Sequence, residues 1–83
     1  MNTTWEKIFE YASMPVHGTM SRKLRKGVKL QIDEGRIYEQ AVLFIGDTFV
    51  RMTETADGGA VNTYYDMAAI RAIRTYSSED KVK

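Results

Sequence analysis

Cysteine is absent from this chain of 83 residues, and histidine, proline and tryptophan each occur once. Without cysteine the chain can form no disulfide and no thiolate zinc site, and a single histidine excludes a histidine-rich metal centre. No apolar run approaches the ~20 residues that a membrane-spanning helix needs, and the first residues contain acids instead of the apolar block of a signal peptide. We therefore expect a cytoplasmic protein without a metal, a cofactor or a membrane partner.

The size and composition of the chain indicate one small globular domain. Hydrophobic residues make up 43% of the chain and charged residues 28%, which is typical of folded proteins. A domain of this size buries only about 60% of its unfolded surface, so its core is thin. Because disulfides and metals are excluded, self-association is the remaining way to stabilise such a domain.

Residues 3–13 are predicted to form a helix, and residues 14–27 a basic loop. Apolar residues recur at helical spacing from Trp5 through Phe9 to Ala12, which predicts one buried stripe. Pro15 cannot continue the helix. The loop carries most of a dense basic run, whose five cations lie within eight residues without an acid: Arg22, Lys23, Arg25, Lys26 and Lys29.

Residues 28–76 alternate apolar and polar positions with a period of two, which predicts short strands. We expect five strands at 28–32, 36–46, 48–53, 60–66 and 70–76, with a 3₁₀ turn at 67–69 and a polar tail at 77–83. Gly35 is expected to supply a positive φ in the first tight turn. The pattern breaks near Glu39-Gln40-Ala41, which indicates a bulge or a bend. Candidate inward positions of the second strand are Ile37, Tyr38, Ala41, Leu43 and Ile45.

These elements predict a mainly β fold, in which an N-terminal helix precedes a five-stranded, strongly bent antiparallel sheet within a single domain at residues 1–76. Their order resembles the Sm/Lsm fold. The segment VKLQIDEGRIYEQAVLFIGDTFVRM looks like the first Sm motif, and Asp47-Thr48-Phe49-Val50 within it has the form used by the bacterial host-factor RNA chaperone. The segment TYYDMAAIRAIRTY looks like the second motif. The resemblance implies a small Sm-like or SH3-like barrel that forms a homo-oligomeric ring, a hexamer or heptamer, and binds single-stranded RNA.

The resemblance also implies which residues would contact RNA. Phe49 corresponds to the aromatic residue on which a base stacks, and Thr48 lies beside it in the same motif. Arg51 stands where many members have a base-reading Asn, and Asp66-Met67 stands where they have a basic pair. Cations of the basic run, namely Arg22, Lys23, Arg25 and Lys26, are candidates for phosphate contacts.

Subunit contacts are expected along the fourth and fifth strands. The stretch AVNTYYDM contains one charge in eight residues, and an uncharged strand edge is a template for pairing with another chain. In rings of the Sm type the fourth strand of one subunit pairs with the fifth strand of the next. The candidate interface residues are Val61, Tyr64, Tyr65, Ile70 and Ile73.

Two alternatives compete with an RNA-binding ring. One is a ring of the same fold that acts as a scaffold for protein contacts, because a ring of Asp66 carboxylates would repel phosphate. The other is a monomeric or dimeric SH3-like adaptor that uses Trp5 and the tyrosines. No catalytic constellation is recognisable: His17 has no cysteine or acid near it in sequence, and Gly58-Gly59 lacks the Lys-Ser/Thr of a phosphate loop. We expect no enzymatic activity.

Overall fold

A computed structural model describes residues 3–77 of the chain. Its elements begin with helix α1 and continue with eight strands and one 3₁₀ turn. They are α1 (Thr3–Ala12), β1 (Ser13–Pro15), β2 (Arg22–Leu24), β3 (Val28–Ile32), β4 (Ile37–Tyr38), β5 (Val42–Ile45), β6 (Phe49–Ala56), β7 (Gly59–Asp66), the 3₁₀ turn (Met67–Ala69) and β8 (Ile73–Ser77). Among the described residues no helix is long and apolar enough to cross a membrane.

Helix α1 packs its apolar stripe onto the sheets, as its spacing predicts. Phe9 is fully buried and Ala12 is 2% exposed. The helix ends at Ala12, one residue earlier than predicted, because Ser13 already pairs with Leu24 in the first strand pair. The Ser13 hydroxyl donates to the carbonyl oxygen of Phe9 at 2.5 Å, which satisfies an acceptor of the last helical turn.

Two short strands interrupt the predicted basic loop at residues 14–27, which is irregular over the rest of its length. β1 and β2 form an antiparallel hairpin in which Met14 pairs with Lys23, and β2 continues the sheet by pairing with β5. Each of these strands has only three residues. Strands this short leave no alternating pattern in the sequence, and the pairing of β2 with β5 is a long-range contact that local signals do not carry.

The eight strands form two antiparallel sheets where the sequence predicted one five-stranded sheet. The larger sheet has the order β1-β2-β5-β6-β7, and the smaller has the order β4-β3-β8. The predicted long second strand is divided at residues 39–41, so that β4 belongs to one sheet and β5 to the other. This division confirms the predicted bend. The finer assignment to an Sm-like barrel stays a prediction.

The connections between strands differ from the prediction at two places. Asp33, with a φ of 55°, takes the left-handed conformation that was expected of Gly35. The same Asp33 accepts hydrogen bonds through Oδ1 from the backbone N–H groups of Arg71 at 2.7 Å and Ala72 at 3.1 Å. These bonds hold the chain after the predicted 3₁₀ turn in an irregular path, so that β8 begins at Ile73 and not at residue 70. The polar tail was predicted to begin at residue 77, but Ser77 is the last residue of β8. Residues 78–83 of the predicted tail lie outside the described residues.

A single hydrophobic core lies between the two sheets and the helix. Of the inward positions predicted for the second strand, Tyr38, Ala41 and Leu43 are fully buried and Ile45 packs against the core. Ile37 was placed inward wrongly: it is 47% exposed, because it neighbours Tyr38 and adjacent strand residues face opposite sides. The buried core consists of Phe9, Ala12, Leu24, Leu30, Ile32, Tyr38, Ala41, Leu43, Val50, Met52, Met67 and Ile70.

Candidate nucleic-acid interface

The outer face of the larger sheet carries an aromatic cluster, which we define as Phe44, Phe49, Tyr64 and Arg51. Arg51 of β6 pairs directly with Phe44 of β5 and with Tyr64 of β7. The ring centroids of Phe44 and Phe49 are 5.9 Å apart, and those of Phe49 and Tyr64 are 6.1 Å apart. Both separations fall in the range of favourable aromatic pairs. The cluster therefore forms one continuous surface across three strands.

The alternation along β6 determines that this surface faces away from the core. Val50 and Met52 are fully buried, so that Phe49 and Arg51 lie on the opposite side of the strand. Phe49 is half-buried by its neighbours in the cluster and is not a core residue. Its ring lies over Gly46: a Cβ on that glycine would lie 2.5 Å from Cε1 of Phe49. Gly46 therefore leaves the space in which the Phe49 ring sits.

Arg51 places a cation within this aromatic surface. Its guanidinium carbon lies 5.4 Å from the centroid of the Phe44 ring, which is within cation–π distance. The Nε–H group of Arg51 is buried and has no hydrogen-bond partner among residues 3–77. An unpaired buried donor is unfavourable in the free protein, because it has lost water without gaining another acceptor. The guanidinium of Arg51 therefore lies beside the aromatic rings with one of its donors unpaired.

The other residues of the predicted RNA motif lie at the end of the cluster. Thr48 is exposed, and its carbonyl oxygen accepts a hydrogen bond from the backbone N–H of Met67 at 2.9 Å. Asp66 pairs with Phe49 across the strands, and its carboxylate accepts from the backbone N–H of Ala68 at 3.0 Å. Asp66 is thus the N-cap of the 3₁₀ turn. This capping gives the acid a structural role at a position where the resemblance implies a basic residue.

The basic run is divided into two groups by its contacts. Arg22 donates from Nε to the hydroxyl of Ser13 at 2.8 Å, and Arg25 donates from Nε to the carbonyl oxygen of Tyr11 at 2.9 Å. These two arginines bind the C-terminal end of α1, where the helix dipole favours cations. Lys23 and Lys26 are exposed and have no hydrogen bond or ion pair within the described chain. Of the four predicted phosphate contacts, only the two lysines are free to bind an anion.

The predicted interface residues fall on different sides of the sheets. Tyr64 is 62% exposed and Val61 is 51% exposed, so both have surface to offer a partner. Tyr65 faces inward, where its hydroxyl lies 2.7 Å from that of Tyr38. Ile70 is buried in the core and Ile73 packs against the core. These two side chains therefore make most of their contacts within their own chain.

Phe44 is the member of the cluster that sequence reasoning missed. Tyr64 was recognised, but as an interface residue. The signal for Phe44 was present, because Leu43 and Ile45 were both expected to face inward and the residue between them must face outward. What the sequence did not contain was the pairing of Phe44 with Arg51, which depends on the register of β5 against β6.

A scan of protein-family models found no family that matches this chain, and searches of curated proteins and of solved structures found no significant match.

Proposed function

We propose that this chain is an Sm-like subunit of a homo-oligomeric ring that binds single-stranded RNA by stacking bases on the aromatic cluster. The observation that carries the proposal is the outward position of Phe44, Phe49 and Tyr64 around Arg51. An apolar surface of this kind exposes aromatic rings to water unless a ligand covers it. Unstacked bases are planar and bind well to such rings.

Stacking provides affinity without requiring a particular base. Each base stacked on an aromatic side chain contributes about 1–3 kcal/mol, and every base has a π face to offer. Arg51 adds a guanidinium that can donate to a phosphate or a base oxygen.

The two sheet edges support the oligomeric part of the proposal. Strand β7 forms one edge of the larger sheet and β8 forms one edge of the smaller sheet. Each therefore has one side without a partner strand among residues 3–77. Pairing of β7 from one copy with β8 from the next is a head-to-tail contact, which closes into a ring when the rotation allows it. A closed ring would cover both edges and enlarge the thin core.

A second candidate function is a scaffold ring that binds no RNA. The observation that favours it is the location of Tyr64 and Val61 on the edge strand, where a neighbouring protein surface could cover them. The acid Asp66 at the end of the cluster is consistent with this alternative, because it repels phosphate.

Fluorescence anisotropy with short oligo-U and oligo-A at about 50 mM salt tests the RNA proposal. Phe49→Ala should weaken binding by roughly 5- to 150-fold for either base, which corresponds to a stacking loss of about 1–3 kcal/mol. Tyr11→Ala is the matched control, since Tyr11 is 82% exposed on α1 and its ring is outside the cluster. Equal binding of RNA by the two variants would contradict base stacking on Phe49, and no binding by the unchanged protein at high micromolar concentration would favour the scaffold.

Native mass spectrometry tests the ring. The expected mass is a hexamer or heptamer, and Tyr64→Lys should shift it towards smaller species by placing a cation at the edge of β7. A monomer at micromolar concentration would contradict the oligomeric part of the proposal.

A further inference from the structure

An open groove of about 1130 Å³ lies between the end of the β1–β2 hairpin and the bend that joins β4 to β5. Its walls are partly apolar, with Val28, Ile37 and Tyr76 among them. Ile37 is 47% exposed and Tyr76 is 41% exposed. The groove therefore combines accessible apolar side chains with the polar groups of the hairpin.

Cations dominate the charge of this groove. Lys23, Lys26 and Lys29 line it and are exposed, and none has an ion pair or hydrogen bond within residues 3–77. Arg25 also lines it but donates to the end of α1, and Glu39 is the acid in the lining. Three free ammonium groups against one carboxylate favour an anionic ligand.

The groove and the aromatic cluster meet on the same face of one strand. Lys23 of β2 pairs directly with Val42 of β5, and both residues line the groove. Val42 and Phe44 are two positions apart on β5 and so face the same side, about 7 Å apart along the strand. A ligand that leaves the groove past Val42 therefore reaches Phe44 and Arg51 next.

We propose that one single strand of nucleic acid occupies both surfaces, with its phosphates held by Lys23, Lys26 and Lys29 and its bases on the aromatic cluster. This inference rests on the proposed function and specifies the path of its ligand. Lysines act as point charges that attract phosphate without reading sequence. An acidic peptide would match the groove's charge, but it offers no stacking partner for the adjoining rings, so the combined surface favours a nucleic acid.

The salt dependence of oligo-U binding tests this path. Replacing Lys23, Lys26 and Lys29 with Gln should reduce the slope of log affinity against log salt by roughly 2, at about 0.7 for each lost phosphate contact on a single strand. Between 50 and 200 mM salt, the affinity of the unchanged protein should then fall roughly 20-fold more than that of the variant. The matched control replaces Lys7, Arg71 and Arg74 with Gln, which removes the same charge from exposed residues outside the groove.

The outcomes separate this inference from the function on which it rests. Equal slopes for the groove variant and its control would overturn the inference, while a selective loss of binding in Phe49→Ala would leave the RNA proposal intact. No oligo-U binding by the unchanged protein would overturn both. Binding of a poly-glutamate peptide, with the same dependence on the lysines and no binding of oligo-U, would assign the groove to an acidic protein. If the triple variant does not fold, single Lys23→Gln and Lys26→Gln variants should each lower the slope by about 0.7, and unchanged slopes would overturn the inference.

Discussion

Gly46→Ala should disturb the aromatic cluster without changing its charge or its chemical groups. The added Cβ would lie 2.5 Å from Cε1 of Phe49 and 2.9 Å from its Cδ1, which is closer than non-bonded carbon atoms approach. The backbone of Gly46 does not have a positive φ, so alanine introduces no backbone strain there. Because Phe49 lies on the outer face of the sheet and is not a core residue, its ring is expected to swing away from the sheet.

The magnitude follows from the contacts that the ring would lose. Phe49 is 5.9 Å from the Phe44 ring and 6.1 Å from the Tyr64 ring, and aromatic pairs contribute about 0.5–1.5 kcal/mol each. Replacing a glycine with alanine reduces the entropy of the unfolded chain, which stabilises the folded protein by about 0.4–1 kcal/mol. We therefore expect a net loss of about 1–2 kcal/mol in the free energy of unfolding, or roughly 5–15 °C in Tm for a domain of this size.

A double-mutant cycle measures this effect, with urea denaturation of the unchanged protein, Gly46→Ala, Phe49→Ala and the double variant. In a Phe49→Ala background the added Cβ meets no ring, so Gly46→Ala should be neutral or slightly stabilising there. Gly59→Ala is the matched control, because a Cβ at Gly59 has nothing within 4 Å. An equal loss of stability from Gly46→Ala in both backgrounds would refute the packing of the Phe49 ring over Gly46.

Two further predictions concern the helix end and the tyrosine pair. Arg22→Ala should lower the free energy of unfolding by about 1.5–3 kcal/mol, because it removes hydrogen bonds from a charged group to the end of α1. Lys23→Ala should change the free energy of unfolding by no more than about 0.5 kcal/mol. Similar urea midpoints for the two variants would contradict the assignment of Arg22, and not Lys23, to the end of α1. Burial raises the pKa of Tyr65 above its ordinary value of 10.0, and the hydrogen bond between the hydroxyls of Tyr65 and Tyr38 raises this pKa further. The native state therefore keeps a proton that the unfolded chain loses at high pH. Stability should fall as pH rises above about 10, and less steeply in Tyr65→Phe; an equal fall in both proteins at pH 8–11 would contradict the assignment.

Local patterns in the sequence determined the helix and most of the strands. The spacing of Phe9 and Ala12 predicted the buried stripe of α1, and the alternation from Val28 to Ile32 predicted β3. The irregular stretch before Val42 predicted the bend between β4 and β5. These features depend on residues only a few positions apart, and local preferences and side-chain periodicity act over that range.

Long-range pairing decided the composition of the candidate site. Phe49 and Val50 are both apolar, so the alternation along β6 did not reveal which of them faces outward until Val50 was found in the core. Arg51 meets Phe44 and Tyr64 only because β5 and β7 pair with β6 in one particular register. A shift of one residue would turn every side chain to the other face.

Tertiary structure also decided which cations are free. Five basic residues lie together in the sequence and look equivalent, but β2 carries Arg22 to the end of α1 and leaves Lys23 on the opposite side of the strand. Arg25 likewise reaches the carbonyl oxygen of Tyr11. The sequence by itself determined where the charge is concentrated. The fold determined which charges are used within the chain, because that choice depends on acceptors nine to fourteen residues away, brought close only when the hairpin packs against the helix.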